Sequence, residues 1–229
     1  MKRDTLTRVL DAQRAKQPFV LATNLETHQQ IELTANSADQ PDWMMTEVAD
    51  AIRSDKSRTK TSPDNTSWFF NVFNPPLRLV IVGAVHIAQR LARMGIDAGY
   101  EVTVVDPRES FASVERFPEV TLKSEWPDEA LENLMLDART AIVTLTHDPK
   151  LDDPALLVAL RSPAFYIGAL GSRKTQNARQ DRLSDAGFSE IDRARICGPV
   201  GLDIGAKSPA EIAVSILAEI TQTLRRGHP

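Results

Sequence analysis

Two glycines, a hydroxyl and two cations in close succession are the parts of an anion cradle. Gly168-Ala169-Leu170-Gly171-Ser172-Arg173-Lys174-Thr175 has them in that order. Glycines close a strand, and Arg173 and Lys174 fall in the first turn of the helix that follows. Cations there oppose the helix dipole, which favours negative charge at the amino end. An anionic ligand resolves the conflict by accepting backbone N–H bonds and the Arg173 guanidinium. A solvated basic face also explains the cations, because Arg179 and Arg182 follow on the same helix.

A second cradle is Gly83-Ala84-Val85-His86-Ile87-Ala88, after an apolar strand. In a dinucleotide fingerprint Gly83 makes the tight turn and Ala88 replaces the third glycine. The second glycine position holds Val85, whose branched side chain projects where a pyrophosphate would come close. Asp106, at the end of the next strand, stands where a carboxylate binds ribose hydroxyls, and Arg108 where a 2′-phosphate would be met. Val85 makes NAD(P) the disfavoured ligand.

Thr146-His147-Asp148 ends a later strand. A His beside a carboxylate serves as proton carrier, hydrogen-bond donor or metal ligand; a helix cap or loop hydrogen bond accounts for it equally. The four histidines are too scattered for a metal spacing, so no metal site is assigned. Gly198, Gly201 and Gly205, with Asp203 and Lys207, give a backbone shaped around a ligand or a neighbouring loop. Cys197 precedes them. A lone thiol reads as a small buried hydrophobe, with sulfur handling as the rival role. All ten glycines lie at or after Gly83, which confines the cradles to the last two-thirds of the chain.

The elements that must position these residues change character at Asn74-Pro75-Pro76. Before it, the pattern predicts helices over 4–16 and 42–53, strands over 19–23, 30–33 and 68–73, and an exposed polar loop over 54–67. After it, strands over 79–82, 101–106, 121–122, 140–146 and 165–169 alternate with helices over 86–98, 128–136, 154–160, 174–186 and 209–225. Ser208, Pro209 and Glu211 make a capping box at the last helix. Such alternation implies a doubly wound parallel sheet. The expected fold is therefore α/β and Rossmann-like over 77–229, preceded by a small α+β domain over 1–74.

The chain has 229 residues and a formal net charge of −4. That balance argues against a nucleic-acid partner. No apolar run is long enough to span a bilayer, and no apolar stretch follows the charged start Met1-Lys2-Arg3-Asp4 as a signal peptide requires. A single cysteine rules out an intrachain disulfide. A cytoplasmic protein fits these features.

Tyr166 to Thr175 and Gly201 to Ile220 resemble two signatures of the XdhC/CoxI family. Arg78 to Ala84, Val104 to Arg108 and Thr146-His147-Asp148 match it in the same order, over roughly 77–221. The resemblance implies an accessory factor for a molybdenum hydroxylase of the xanthine or carbon monoxide dehydrogenase type, rather than a catalyst. It implies binding of the molybdenum cofactor, help in its sulfuration or delivery to the apo-enzyme, a homodimer, and a cysteine desulfurase as partner. The cofactor would sit among Gly83, Ala84, His86, Asp106, Arg108, Thr146, His147, Gly168, Gly171, Ser172, Arg173, Gly201, Asp203 and Gly205. Two departures stand out: Val85 where relatives have glycine, and no Gly/Ser-rich cysteine motif in the first 82 residues. An oxidoreductase with a degenerate dinucleotide site and a non-catalytic interaction protein are the rival readings.

Overall fold

The computed structural model describes residues 3–227. The chain divides into two compact units, Met1–Pro75 and Pro76–Pro229. In the first, α1 (Arg3–Arg14) precedes β1 (Phe19–Asn24) and β2 (Gln30–Leu33), and α2 (Asp42–Ser54) precedes β3 (Arg58–Thr61) and β4 (Ser67–Phe73). The strands form an antiparallel sheet in the order β2-β1-β4-β3. Alternation along β1 serves both faces: Val20 and Ala22 pack with Met44 and Val48 of α2, while Phe19 and Leu21 pack with Val9 of α1.

The stretch 54–67 is not the loop its polarity predicts. It holds β3, which pairs with β4 from Arg58↔Phe70 to Thr61↔Ser67. Backbone bonds hold an edge strand whatever its side chains, and charge on such an edge deters a further strand. Arg58 reaches back to the Asp50 carbonyl at 2.8 Å, and Lys60 pairs with Glu47 at 3.2 Å.

The second unit continues with β5 (Leu77–Val82), α3 (His86–Asp97), β6 (Tyr100–Val105), β7 (Thr121–Lys123), α4 (Pro127–Asn133), β8 (Thr140–Thr144) and α5 (Pro149–Arg161). It ends with β9 (Tyr166–Ala169), α6 (Arg173–Asp185), α7 (Glu190–Ala194), β10 (Ile196–Cys197) and α8 (Pro209–Arg226). Six strands lie in the order β10-β9-β8-β5-β6-β7, all parallel. That is the doubly wound Rossmann order, with its reversal between β5 and β8. One face of the sheet packs on α3 and α8 through Leu79, Ile81, Leu91, Val143, Ile216 and Ile220. The other packs on α4, α5 and α6 through Val80, Leu131, Ile142, Leu156 and Leu183.

Some boundaries and two short elements differ from the sequence expectation. Helix α5 begins at Pro149, because Asp148 caps it through the Lys150 N–H and Pro149 suits the first helical position. Pro154 therefore lies inside that helix. Strand β8 stops at Thr144. Helix α7 and strand β10 carry too few residues for a periodic signal, and β10 places Cys197 in the sheet beside Gly168.

The turn after β10 is held tightly on α8. Gly201 has φ +95°, and a Cβ there would lie 2.4 Å from Ser215 Oγ and 3.2 Å from the Ile216 nitrogen. Left-handed strain and overpacking add at such a site. Gly201→Ala is expected to cost about 2 kcal/mol or more, seen as a lower urea midpoint with an unchanged slope. A midpoint equal to wild type would contradict this packing.

Candidate functional site

Because every strand of the second sheet runs the same way, the turns after β5, β6, β8, β9 and β10 all emerge along its carboxyl edge. Open parallel sheets bind ligands there, at the point where strand order reverses. Most of the sequence candidates fall on these five turns; Gly168 and Cys197 lie in β9 and β10, and His86 and Arg173 open α3 and α6.

The turn after β5 is closed against its neighbours. Gly83 has φ +103°, and a Cβ on it would sit 2.5 Å from the Thr146 methyl. The Ala84 N–H donates to Asp106 Oδ2 at 2.8 Å. Asp106 is fully buried. Its Oδ1 accepts the Arg108 N–H at 3.0 Å and Nε at 2.8 Å, and its Oδ2 accepts Arg108 Nη2 at 2.8 Å. Both oxygens thus have intrachain partners, in place of the ribose expected from sequence. Arg108 also lies over the Phe111 ring, 4.4 Å from its centroid.

The turn after β8 runs through Thr146, His147 and Asp148. Thr146 donates its hydroxyl to Asp152 Oδ1 at 2.7 Å and its N–H to the same oxygen at 3.3 Å. Asp148 is the α5 cap, so the cap reading of this triplet holds for the carboxylate. His147 is exposed, with φ +62°.

The turn after β9 carries the cations. Ser172 caps α6 by accepting the Thr175 N–H at 3.2 Å. Arg173 and Lys174 are exposed. The Arg173 side chain makes no hydrogen bond or ion pair with another described residue. Arg179, expected on a solvated face, is instead buried. It donates Nη1 to Gln176 Oε1 at 2.6 Å and Nη2 to the Leu170 carbonyl at 3.0 Å. Arg182 binds Asp153 through both Nε and Nη2.

Glycines at the last turns serve close packing. A Cβ on Gly168 would meet Val200 at 2.5 Å and the Tyr166 hydroxyl at 2.8 Å, and one on Gly198 would meet Gln176 at 2.4 Å. Glu219 Oε2 accepts both the Tyr166 hydroxyl at 2.5 Å and the Gly201 N–H at 2.8 Å. Asp203, Ile204 and Gly205 are exposed, and a Cβ on Gly205 would meet nothing within 4 Å. His86 lines a recess of about 290 Å³ with Gln89, Arg90, Ser208, Pro209 and Ala210. Sequence reasoning missed Asp152 and Gln176. Both sit in the first turn of their helices, and only their burial marks them.

Electrostatics separate the polar groups. Burial works to raise the Asp106 carboxyl, but bonds from Arg108 and Ala84 outweigh it and hold the group below its ordinary value. Burial raises Asp152 despite its bonds from Thr146. Burial first, and the Glu219 carboxylate second, push the Cys197 thiol up to about 12. Sulfur chemistry needs the thiolate, and this environment suppresses it, so the geometry lends no support to the sulfur-handling role.

The second unit belongs to the XdhC Rossmann domain family, whose model matches residues 79–220. A Bacillus subtilis protein named as a probable xanthine dehydrogenase component is 33% identical over 162 residues, covering 70% of this chain and 47% of that protein. The molybdenum cofactor insertion chaperone PaoD from Escherichia coli is 31% identical over 159 residues, covering 68% of this chain and 44% of that one. The chain thus matches less than half the length of either relative. A crystal structure described as a xanthine dehydrogenase from Bacillus halodurans has the same fold, with a TM-score of 0.71 at 24% identity, covering 97% of this chain and 67% of that one. Among the described residues, no helix is long and apolar enough to cross a membrane.

A depressed carboxyl stabilises the fold above its unfolded pKa, and that stabilisation is lost as pH falls through the folded value. Asp106→Asn is therefore expected to lower the urea midpoint at pH 7. It should also flatten the loss of stability between about pH 4 and the acid limit. Equal acid sensitivity in both proteins would contradict the Asp106–Arg108 assignment.

Proposed function

We propose that this chain is an accessory factor in the maturation of a molybdenum hydroxylase, and that it binds the molybdenum cofactor along the carboxyl rim of the second sheet. The observation that carries the reading is Arg173. It is an exposed guanidinium with no intrachain partner among the described residues, at the first turn of α6, where a cation is unfavourable unless an anion joins it. The N–H groups of Arg173 and Lys174 have no acceptor among the described residues. Those groups suit a phosphate, and the cofactor's tail carries one. The names of two relatives, a cofactor insertion chaperone and a xanthine dehydrogenase component, support the same class of role.

In this reading the chain's residues bind and orient. Arg173 and the first α6 amides hold the anionic end, and the turns of Gly83, Thr146–His147 and Gly201–Gly205 wall the cleft. The cofactor supplies redox chemistry only within the hydroxylase that receives it. Delivery to the apo-enzyme, help with sulfuration, work beside a cysteine desulfurase and assembly as a homodimer belong to the same proposal.

A dinucleotide-dependent oxidoreductase is the weaker reading. The Ala84 N–H is bonded to Asp106, and Asp106 to Arg108. A nicotinamide cofactor would have to break these bonds to gain the usual ones, and Val85 still stands at the pyrophosphate position.

The test is gel filtration of the purified chain with molybdenum cofactor freed from a denatured hydroxylase. Wild type is expected to retain the cofactor, and Arg173→Glu to bind it at least about tenfold more weakly. No retention by wild type, or equal retention by the variant, would overturn the assignment. NAD(H) and NADP(H) are expected to give no calorimetric signal under the same conditions.

A further inference from the structure

Asp152 on α5 and Arg179 on α6 form a buried pair that the binding residues above do not include. Each side chain is 2% exposed, and Arg179 Nη2 lies 3.8 Å from Asp152 Oδ2. That separation is too long for a hydrogen bond. Asp152 Oδ2 and Arg179 Nε find no hydrogen-bond partner among the described residues. Taking two charges out of water costs several kcal/mol per ion, and only close, fully bonded geometry recovers it. A pair this loose is a poor device for stabilising the fold.

Its hydrogen bonds go elsewhere. Asp152 holds the N–H and hydroxyl of Thr146, the residue before His147. Arg179 holds the carbonyl of Leu170, two residues before Ser172, and the side chain of Gln176. Thr146 in turn lies against Gly83, and Gln176 against Gly198. From one buried pair, contacts reach the turns after β5, β8, β9 and β10.

We propose that Asp152 and Arg179 are positioning residues for the rim, fixing the separation of the turns that hold an anionic ligand. The inference rests on the rim being the binding site. A ligand that bridges several turns gains only if they are pre-set, since ordering them on binding is paid from its affinity.

The test uses the full chain carrying both Asp152→Asn and Arg179→Met. Removing the charges together leaves neither ion unpaired, and such replacements are commonly neutral for stability. The thermal midpoint is expected to stay within a few degrees of wild type. Amide hydrogen exchange is expected to quicken about tenfold or more at the turns 145–148, 170–172 and 198–202, with β5 and β8 unchanged. Retention of freed molybdenum cofactor is expected to weaken about tenfold. Wild-type exchange at the turns, or quickening spread evenly over rim and core, would overturn the positioning role. If the double variant does not fold, Arg179→Lys keeps the charge, loses the two-point grip on Leu170 and Gln176, and is read by the same exchange pattern. Failure of the wild-type chain to retain cofactor would instead sink the binding reading, and the exchange comparison would still decide the positioning one.

Discussion

Five separate turns line the carboxyl rim, and side-chain hydrogen bonds hold them to one another and to the helices beneath. Asp152 holds Thr146 after β8, and Arg179, facing it, holds the Leu170 carbonyl after β9. Asp106 joins β5 to β6 through Ala84 and Arg108. Glu219 joins β9 and β10 to α8 through Tyr166 and Gly201. Asp106, Asp152 and Arg179 are kept from water, so their bonds are strong only while the partners stay in place. The sheet beneath supplies the fixed platform, with Val80, Ile81 and Ile142 almost wholly buried.

The framework is of the dinucleotide type, but its usual contact groups are already engaged. The groups that would greet a pyrophosphate and a ribose are bonded to one another inside the chain. What stays exposed is His147 after β8, Arg173 and Lys174 after β9, and the segment around Gly205 after β10. The polar groups after β5 and β6 are bonded to one another, and the exposed cations Arg173 and Lys174 follow β9. A ligand suited to the rim carries its negative charge toward α6 rather than toward α3.

Elements with a strong period were legible from the residues alone. The parallel order followed from strands alternating with helices, and the last helix from Ser208, Glu211 and the Ile212–Ile220 stripe. The rim turns were legible because glycine is needed where backbones nearly touch, as Gly83 does with Thr146. Strand β3 was hidden because an edge strand needs no apolar residues. Strand β10 was hidden because two residues carry no period. Asp152 and Arg179 were hidden for a different reason. Charged residues on amphipathic helices usually face water, and only the fold reveals that these two face each other. Arg173 and Arg179 have the same chemistry in sequence, yet one is exposed and the other buried.

The most direct measurement is a crystal structure of the chain with molybdenum cofactor bound. The account predicts density for the cofactor's phosphate within hydrogen-bonding distance of the Arg173 guanidinium and the first amides of α6, with the Asp106–Arg108 bonds intact. Density lying instead against Gly83 and Val85 with those bonds broken, or a rim left empty at saturating cofactor, would contradict it.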